Sequence, residues 1–206
     1  MPRIVDHDAR RAELARATWA VVRREGIEHA SVRTVAAEAG CSPGSLRHYF
    51  PSQSALLASA LQVVVDRIEA RLRRLERDPD PRRAARQLLH ELLPLDSERR
   101  AENDVWLAFT ARALVDPSLR DLHAAVDDAL RSTCVGIAEA LAVDDPAIEG
   151  ERLHALVDGL CVHAAVNGDR LPADRLRAVA DRHLDSLAPA RVHVDEPASP
   201  RVRRRR

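Results

Sequence analysis

The chain has 206 residues, 32 basic against 32 acidic side chains for a formal net charge of zero, 46% hydrophobic residues and only 2% aromatics. That length suffices for one large domain or two small ones with a real core, while so few aromatics exclude a base-stacking platform for single strands. Three cysteines without CxxC or zinc spacing exclude a disulfide framework.

The neutral average hides an uneven distribution. Residues 1–50 carry 8 Arg against 6 acids (net +2), residues 51–190 carry 18 against 24 (net −6), and residues 191–206 carry 6 against 2 (net +4). A basic N-terminal end suits a phosphate-facing unit and an acidic middle does not. Every basic residue is arginine, a bias expected of a GC-rich coding sequence. The opening stretch lacks an apolar targeting segment and no run approaches ~18 apolar residues, so the expected location is the cytoplasm, with no membrane partner.

Apolar residues recur at helical spacing and no strand pattern occurs, so the predicted fold class is all-α. A first helix runs from about Asp8 to Glu25, with Leu14, Ala17, Thr18 and Val21 on one face, and stops at Gly26. A second follows Ser31 as N-cap, carries Val32, Val35, Ala36 and Ala39, and ends at Gly40. The third starts with Ser42 as N-cap and Pro43 at the first helical position, and is over by Phe50.

A long fourth helix, about Gln53 to Arg77, then joins this three-helix unit to the rest. Proline and aspartate punctuate five more: one around Leu88 to Leu93, then about Ser97–Val115, Ser118–Ala142, Ala147–Asn167 and Pro172–Leu187. The last two are apolar over a wide arc and alanine-rich, which lets partner helices approach closely. Residues 189–206, "PARVHVDEPASPRVRRRR", have no helical period and read as a disordered basic tail. The predicted domains are therefore 1–52, 53–188 and the tail 189–206.

Residues 31–50, "SVRTVAAEAGCSPGSLRHYF", meet the demands of a helix-turn-helix. Such a unit needs a small residue where its helices cross, a turn glycine in the left-handed region and an apolar residue locking the second helix down; Ala36, Gly40 and Leu46 supply these in order. Cys41 takes a turn position that wants a small apolar residue. The outer face of the third helix is then Ser42, Gly44, Ser45, Arg47 and His48, with Pro43 at its tip. Small residues let a helix N-terminus enter a major groove, and Arg47 is the type of donor that grips guanine O6 and N7. Gly44 inside a helix costs ~1 kcal/mol relative to alanine, a cost that close approach to DNA explains. Tyr49, Ser31, Arg33 and Ser52 are placed to meet phosphates, which positions the protein without reading sequence.

The stretch "TVAAEAGCSPGSLRHYFPSQSALL" (34–57) resembles the N-terminal signature of the tetracycline-repressor (TetR) family of bacterial regulators, and "DGLCVHAAVNGDRLPADRLRAVADRHLDSL" (158–187) resembles the closing helices of that family's betaine-regulator-like C-terminal type. The resemblance implies a three-helix DNA-binding domain followed by a helical bundle that dimerises and senses a small molecule. It implies a homodimer through the helices at about 147–167 and 172–187, placing two recognition helices on a near-palindromic double-stranded operator. The unknown effector is then expected among the helices spanning roughly 53–142, where its binding tilts the fourth helix. Two positions depart from the family: Arg47 stands where an aromatic is usual, and Gln53 where a lysine is, which turns an ionic phosphate contact neutral.

Trp106, Phe109 and Arg112 are candidate effector contacts, the two aromatics being equally suited to ordinary core. His154 with Asp158, and His123 with Asp127, sit four residues apart; two ligands do not make a metal site, His163 faces away from His154, and such pairs are commonly helix-face partners. The expectation is no metal and no cofactor. No nucleophile–base order, phosphate loop or carboxylate pair stands out, so an all-helical enzyme lacks its chemistry, and an effector-independent architectural DNA binder is the nearer alternative to a ligand-released repressor.

Overall fold

Ser31, Ser42, Ser52, Asp80, Asp96 and Asp145 each stand immediately before a helix and accept a hydrogen bond from a backbone N–H of its first turn. These short side chains satisfy donors that no carbonyl of the helix can reach. In the computed structural model, which describes residues 7–76, 78–168 and 170–187, they open helices α2 (Val32–Glu38), α3 (Pro43–Tyr49), α4 (Gln53–Arg74), α5 (Pro81–Leu92), α6 (Ser97–Ala113) and α8 (Pro146–Val166). The remaining helices are α1 (His7–Glu25), α7 (Arg120–Ala140) and α9 (Ala173–Ser186), and single 3₁₀ turns occupy Ile27–His29 and Pro117–Leu119. Among the described residues there is no strand, and the fold is all-α. Arg77, the expected end of the fourth helix, and the tail 189–206 lie outside the described residues.

Two apolar cores form. The first joins α1, α2, α3, α4 and α6 through Leu14, Val21, Val35, Ala36, Leu46, Phe50, Leu56, Leu61, Val105 and Phe109. The second joins α5, α7, α8 and α9 through Leu89, Leu93, Cys134, Ile137, Leu153, Val157, Leu176 and Leu184. The N-terminal unit therefore does not close on itself: α4 and α6 complete its core. Arg67 of α4 also lies over the Trp19 ring of α1, 4.9 Å from its centroid.

Between the cores, charge holds α4 to α5 and α6. Glu102 is 3% exposed and accepts from Arg67 Nε at 2.8 Å and from Arg71 Nη1 and Nη2 at 2.7 and 2.6 Å. Arg71 Nε also donates to Glu91 at 3.0 Å. A carboxylate this deeply buried survives only because both oxygens are paired, and its worth lies in fixing one register between helices. At the other end of α4, Ser54 donates to Asp116, just past α6, and Arg112 Nε reaches the same Ser54 hydroxyl at 3.2 Å. The hydrogen bond from Ser54, then those from Ser118, hold the Asp116 carboxyl down at about 2.

α7 and α8 run antiparallel and meet at Gly150, where a Cβ would fall 2.7 Å from the Cα and 2.9 Å from the backbone N of Val135. Only glycine permits that approach. α5 docks along α9, with Arg82 Nη1 and Nη2 donating to the Leu184 and Leu187 carbonyls that end α9 and His90 Nε2 2.9 Å from Asp181.

Gly150→Ala forces α7 and α8 apart along rigid backbone and is expected to destabilise the protein by about 1–3 kcal/mol, read as a lower urea midpoint with unchanged slope. Because Asp116 has its folded value lowered, its contribution to stability is present above its unfolded value near 3.8 and disappears as pH falls toward about 2. The stability difference between wild type and Asp116→Asn should therefore be full at neutral pH and close through that acid window.

Candidate nucleic-acid interface and adjoining cavity

The turn between α2 and α3 depends on Gly40, whose φ of +60° lies in the left-handed region, where side chains bearing a Cβ are strained. Its neighbours lock the angle between the helices: Val35, Ala36 and Leu46 are buried, and Phe50 is fully inside, with the Arg11 guanidinium 5.2 Å from its ring centroid. α2 opens with a reciprocal cap, in which Thr34 N donates to Ser31 Oγ at 3.2 Å and Ser31 N to Thr34 Oγ1 at 2.9 Å. α3 opens on Ser42, whose Oγ accepts from Ser45 N at 3.1 Å.

With the inner face so occupied, Ser42, Pro43, Gly44, Ser45, Arg47 and His48 are all exposed, and Tyr49 is half-buried. The Tyr49 ring meets His48 edge-on at 5.4 Å and lies 5.9 Å from His7. Arg33 is exposed on α2, Ser31 is half-buried at its start, and Ser52 is exposed at the start of α4. Ser42 and Ser52 spend one oxygen lone pair on capping and keep a hydroxyl that can still donate, whereas the Ser31 hydroxyl also meets Thr34 Oγ1 at 3.0 Å. Arg33 and Arg47 make no hydrogen bond or ion pair among the described residues, whereas Arg24, Arg67 and Arg71 are engaged with carboxylates. Gln53 is exposed, and its Nε2 donates to the Ala30 carbonyl at 3.0 Å, which ties α4 to the segment before α2.

Gly44 has nothing inside the chain to explain it. A Cβ there would meet only Ser42 Oγ, at 3.8 Å, an ordinary contact. No packing among the described residues forbids alanine there.

A second feature lies behind α4. A cavity of about 270 Å³ opens between α4, α5, α6, α7 and α8, walled by Leu61, Val65, Ile68, Trp106, Val126 and Leu130 and bounded by the paired Arg71, Glu91 and Glu102. Asn103 stands on its wall; its Nδ2 donates to the Cys161 carbonyl at 2.9 Å, which leaves its buried Oδ1 without a partner. Of the three residues expected to contact an effector, Trp106 lines this cavity and the other two do not. Phe109 is fully buried in the first core, one helical turn along α6 from Trp106, and its ring is parallel to that of His123. Arg112, a further turn on, is exposed beside Ser54 and Asp116. The three lie on one stripe of α6, but the cavity ends at its first member.

The His–Asp pairs also divide. His123 stacks on Trp106 at 5.2 Å between centroids. Asp127 instead joins His154 and Asp158 from across the α7–α8 seam, at 3.6 and 3.5 Å from His154 Nε2 to the respective carboxylates. No spacing within one helix reveals this three-residue cluster. Burial pushes the Asp158 carboxyl above its usual range, with His154 opposing. Burial likewise pushes the thiols of Cys134 and Cys161 up to about 12, so both are protonated at neutral pH.

Comparison with known proteins places these features. The family model described as "Bacterial regulatory proteins, tetR family" matches residues 14–60, and that described as "BetI-type transcriptional repressor, C-terminal" matches residues 81–189. The HTH-type transcriptional regulator PksA of Bacillus subtilis (strain 168) is 38% identical over 192 residues, covering 91% of this chain and 94% of the relative. A transcriptional regulator from Rhodococcus sp. Rha1 superposes with a TM-score of 0.77 at 33% identity, over 86% of this chain and 95% of that one. The multidrug binding protein EbrR, solved in complex with ethidium, superposes with a TM-score of 0.67 at 25% identity, over 88% of this chain and 99% of that one.

Since the site at residue 44 is sterically open, Gly44→Ala should raise stability by up to about 1 kcal/mol, seen as a higher midpoint in thermal or urea unfolding. A destabilised variant would reveal an internal role for the glycine.

Proposed function

Because the chain belongs to the TetR family of bacterial regulatory proteins, with a C-terminal domain of the BetI type, we propose that it is a repressor that binds a near-palindromic operator as a homodimer and is released when a small molecule enters the cavity behind α4. It is a transcriptional regulator and not an enzyme, as its relatives are. In this reading residues 1–52 contact DNA and residues 53–188 bind the effector and dimerise. The observation that carries it is the outward face of α3: an unpaired Arg47 beside an unexplained Gly44, on a helix whose opposite face is fully locked.

Arg47 and His48 are the base readers, with Ser42, Pro43, Gly44 and Ser45 forming the small tip that enters the groove. Ser31, Arg33, Tyr49 and Ser52 grip backbone phosphates. Dimerisation through α8 and α9 is supported by an exposed stripe on α8: Ile148, Val162 and Val166 are 56, 45 and 74% exposed, and Gly159 between them faces open space. Apolar residues at that exposure mark surface that a partner helix covers, and the twofold copy supplies the same stripe.

For the effector, the apolar walls, the Trp106 ring and the unpartnered Asn103 Oδ1 favour a molecule with an apolar body and one hydrogen-bond donor or cationic group. EbrR holding ethidium supports a cavity of this kind in the fold. Release follows because α4 lines the cavity and also begins against Ala30 and Asp116. A ligand that favours one tilt of α4 shifts the spacing of the two reading heads, and only such a differential preference couples the sites.

Selection of bound duplexes from random DNA, followed by fluorescence anisotropy, tests the proposal. Arg47→Ala should lose about 1–3 kcal/mol on the selected duplex and little on a scrambled one, whereas Arg33→Ala should weaken both alike and flatten the salt dependence by about one unit of slope. Equal losses for Arg47→Ala on both duplexes, or a monomer in sedimentation, would overturn it. A ligand that raises the melting temperature without loosening DNA would leave an effector-independent binder.

A further inference from the structure

We propose that Asp127, His154 and Asp158 form a binding site for one first-row divalent cation, of which Zn²⁺ is the type, on the α7–α8 wall of the cavity. The site does not depend on the effector reading, since its evidence and its test involve neither DNA nor an organic ligand.

The first observation is convergence. One ligand atom from each of Asp127, His154 and Asp158 lies within 4.8 Å of the other two, and His154 Nε2 is 3.6 Å from Asp127 Oδ1 and 3.5 Å from Asp158 Oδ2. In a tetrahedral site with bonds of about 2.0–2.1 Å, neighbouring ligand atoms sit about 3.3–3.4 Å apart. The two edges from the histidine are within a few tenths of an ångström of that, and long for hydrogen bonds between the ligands themselves.

The second observation is independent of the acidic pair. His154 is 6% exposed, and its Nε2 is buried with no hydrogen-bond partner. A buried imidazole nitrogen aimed between two carboxylate oxygens, yet bonded to neither, is a vacant lone pair or a stranded proton, and either is costly. A cation resolves it by taking the lone pair and balancing the two negative charges at once. One imidazole and two carboxylates are a donor set suited to zinc and its neighbours.

The third observation concerns support. Arg131 Nη2 lies 3.5 Å from Asp127 Oδ2, the oxygen turned away from His154, and the same guanidinium donates to Glu151 at 2.7 Å. Arg131 therefore orients Asp127 with Oδ1 toward the cluster, as outer residues do around ligands. The register is set by the close Gly150–Val135 crossing, one turn before His154 on α8 and about two turns after Asp127 on α7. Asp158 also lines the cavity, which sets the cation at its wall and ties α7 to α8.

Full-length protein stripped with a chelator and titrated with Co²⁺ provides the test. One Co²⁺ per chain should bind with the intense visible d–d absorption of a four- or five-coordinate site, and Zn²⁺ should displace it and raise the melting temperature. Asp127→Asn, Asp158→Asn and His154→Gln should each weaken binding on the order of 100-fold, while the exposed His163→Gln binds as wild type. Asp127 is partly exposed and its change nearly isosteric, so that variant remains informative if His154→Gln fails to fold. Binding below one equivalent, wild-type affinity in Asp127→Asn, or a thiolate-to-cobalt charge-transfer band assigning the metal to Cys161 or Cys134 would each overturn the proposal. So would a titration without heat or spectral change.

Discussion

Everything in this structure is referred to the single helix α4. Its first residues are pinned to the N-terminal unit and to the end of α6, through Gln53 to Ala30 and Ser54 to Asp116. Its middle supplies Leu56, Ala60, Leu61 and Val64 to the first core, and its far end clamps the buried Glu102 with two arginines. Helices do not bend easily without proline, glycine pairs or inserted groups, and α4 has none of these between Gln53 and Arg74. Under the proposed reading, a displacement at the cavity end is carried to the other end as a rigid-body movement.

The nature of the contacts along α4 fits such a movement. Close-packed apolar cores resist small deformations and prefer discrete rearrangements, and ion pairs with fixed forks choose a register instead of adding much net stability. The chain Arg23–Glu98–Arg67–Glu102–Arg71–Glu91 crosses from α1 through α6 and α4 to α5. Under the proposed reading, this network holds one arrangement of the reading heads until a ligand favours another, and the reciprocal rule requires that DNA weaken the ligand equally.

The distribution of charge separates two kinds of surface. In the bundle, Arg67, Arg71, Arg86, Arg99 and Arg131 pair with carboxylates across helix seams. On α2 and α3 the exposed arginines are free among the described residues. A small local excess of unpaired positive charge matters more to a polyanion than the formal total, because screening limits the reach of distant groups to about 10 Å at ordinary ionic strength.

The local architecture was legible in the chain. Caps at Ser31, Ser42 and Ser52, the left-handed Gly40, Pro43 at a helix start and the apolar periods place seven of the helices to within a few residues, since each depends on neighbours within about one turn; the fifth, expected around Leu88 to Leu93, begins earlier, at Pro81, and at the seventh, the 3₁₀ turn Pro117–Leu119 intervenes where the helix was expected to begin. The outward face of α3 was legible for the same reason: a short helix with one locked face leaves the other defined. Tertiary structure alone decided that the cavity stops at Trp106 and excludes Phe109 and Arg112, that the Gln53 amide bonds the Ala30 carbonyl, that Glu102 is buried between two arginines, and that Asp127 meets His154 and Asp158. Each of these depends on the rotation and sliding of one helix against another, which is set by close approaches such as Gly150 on Val135 and is not written in the period of either helix.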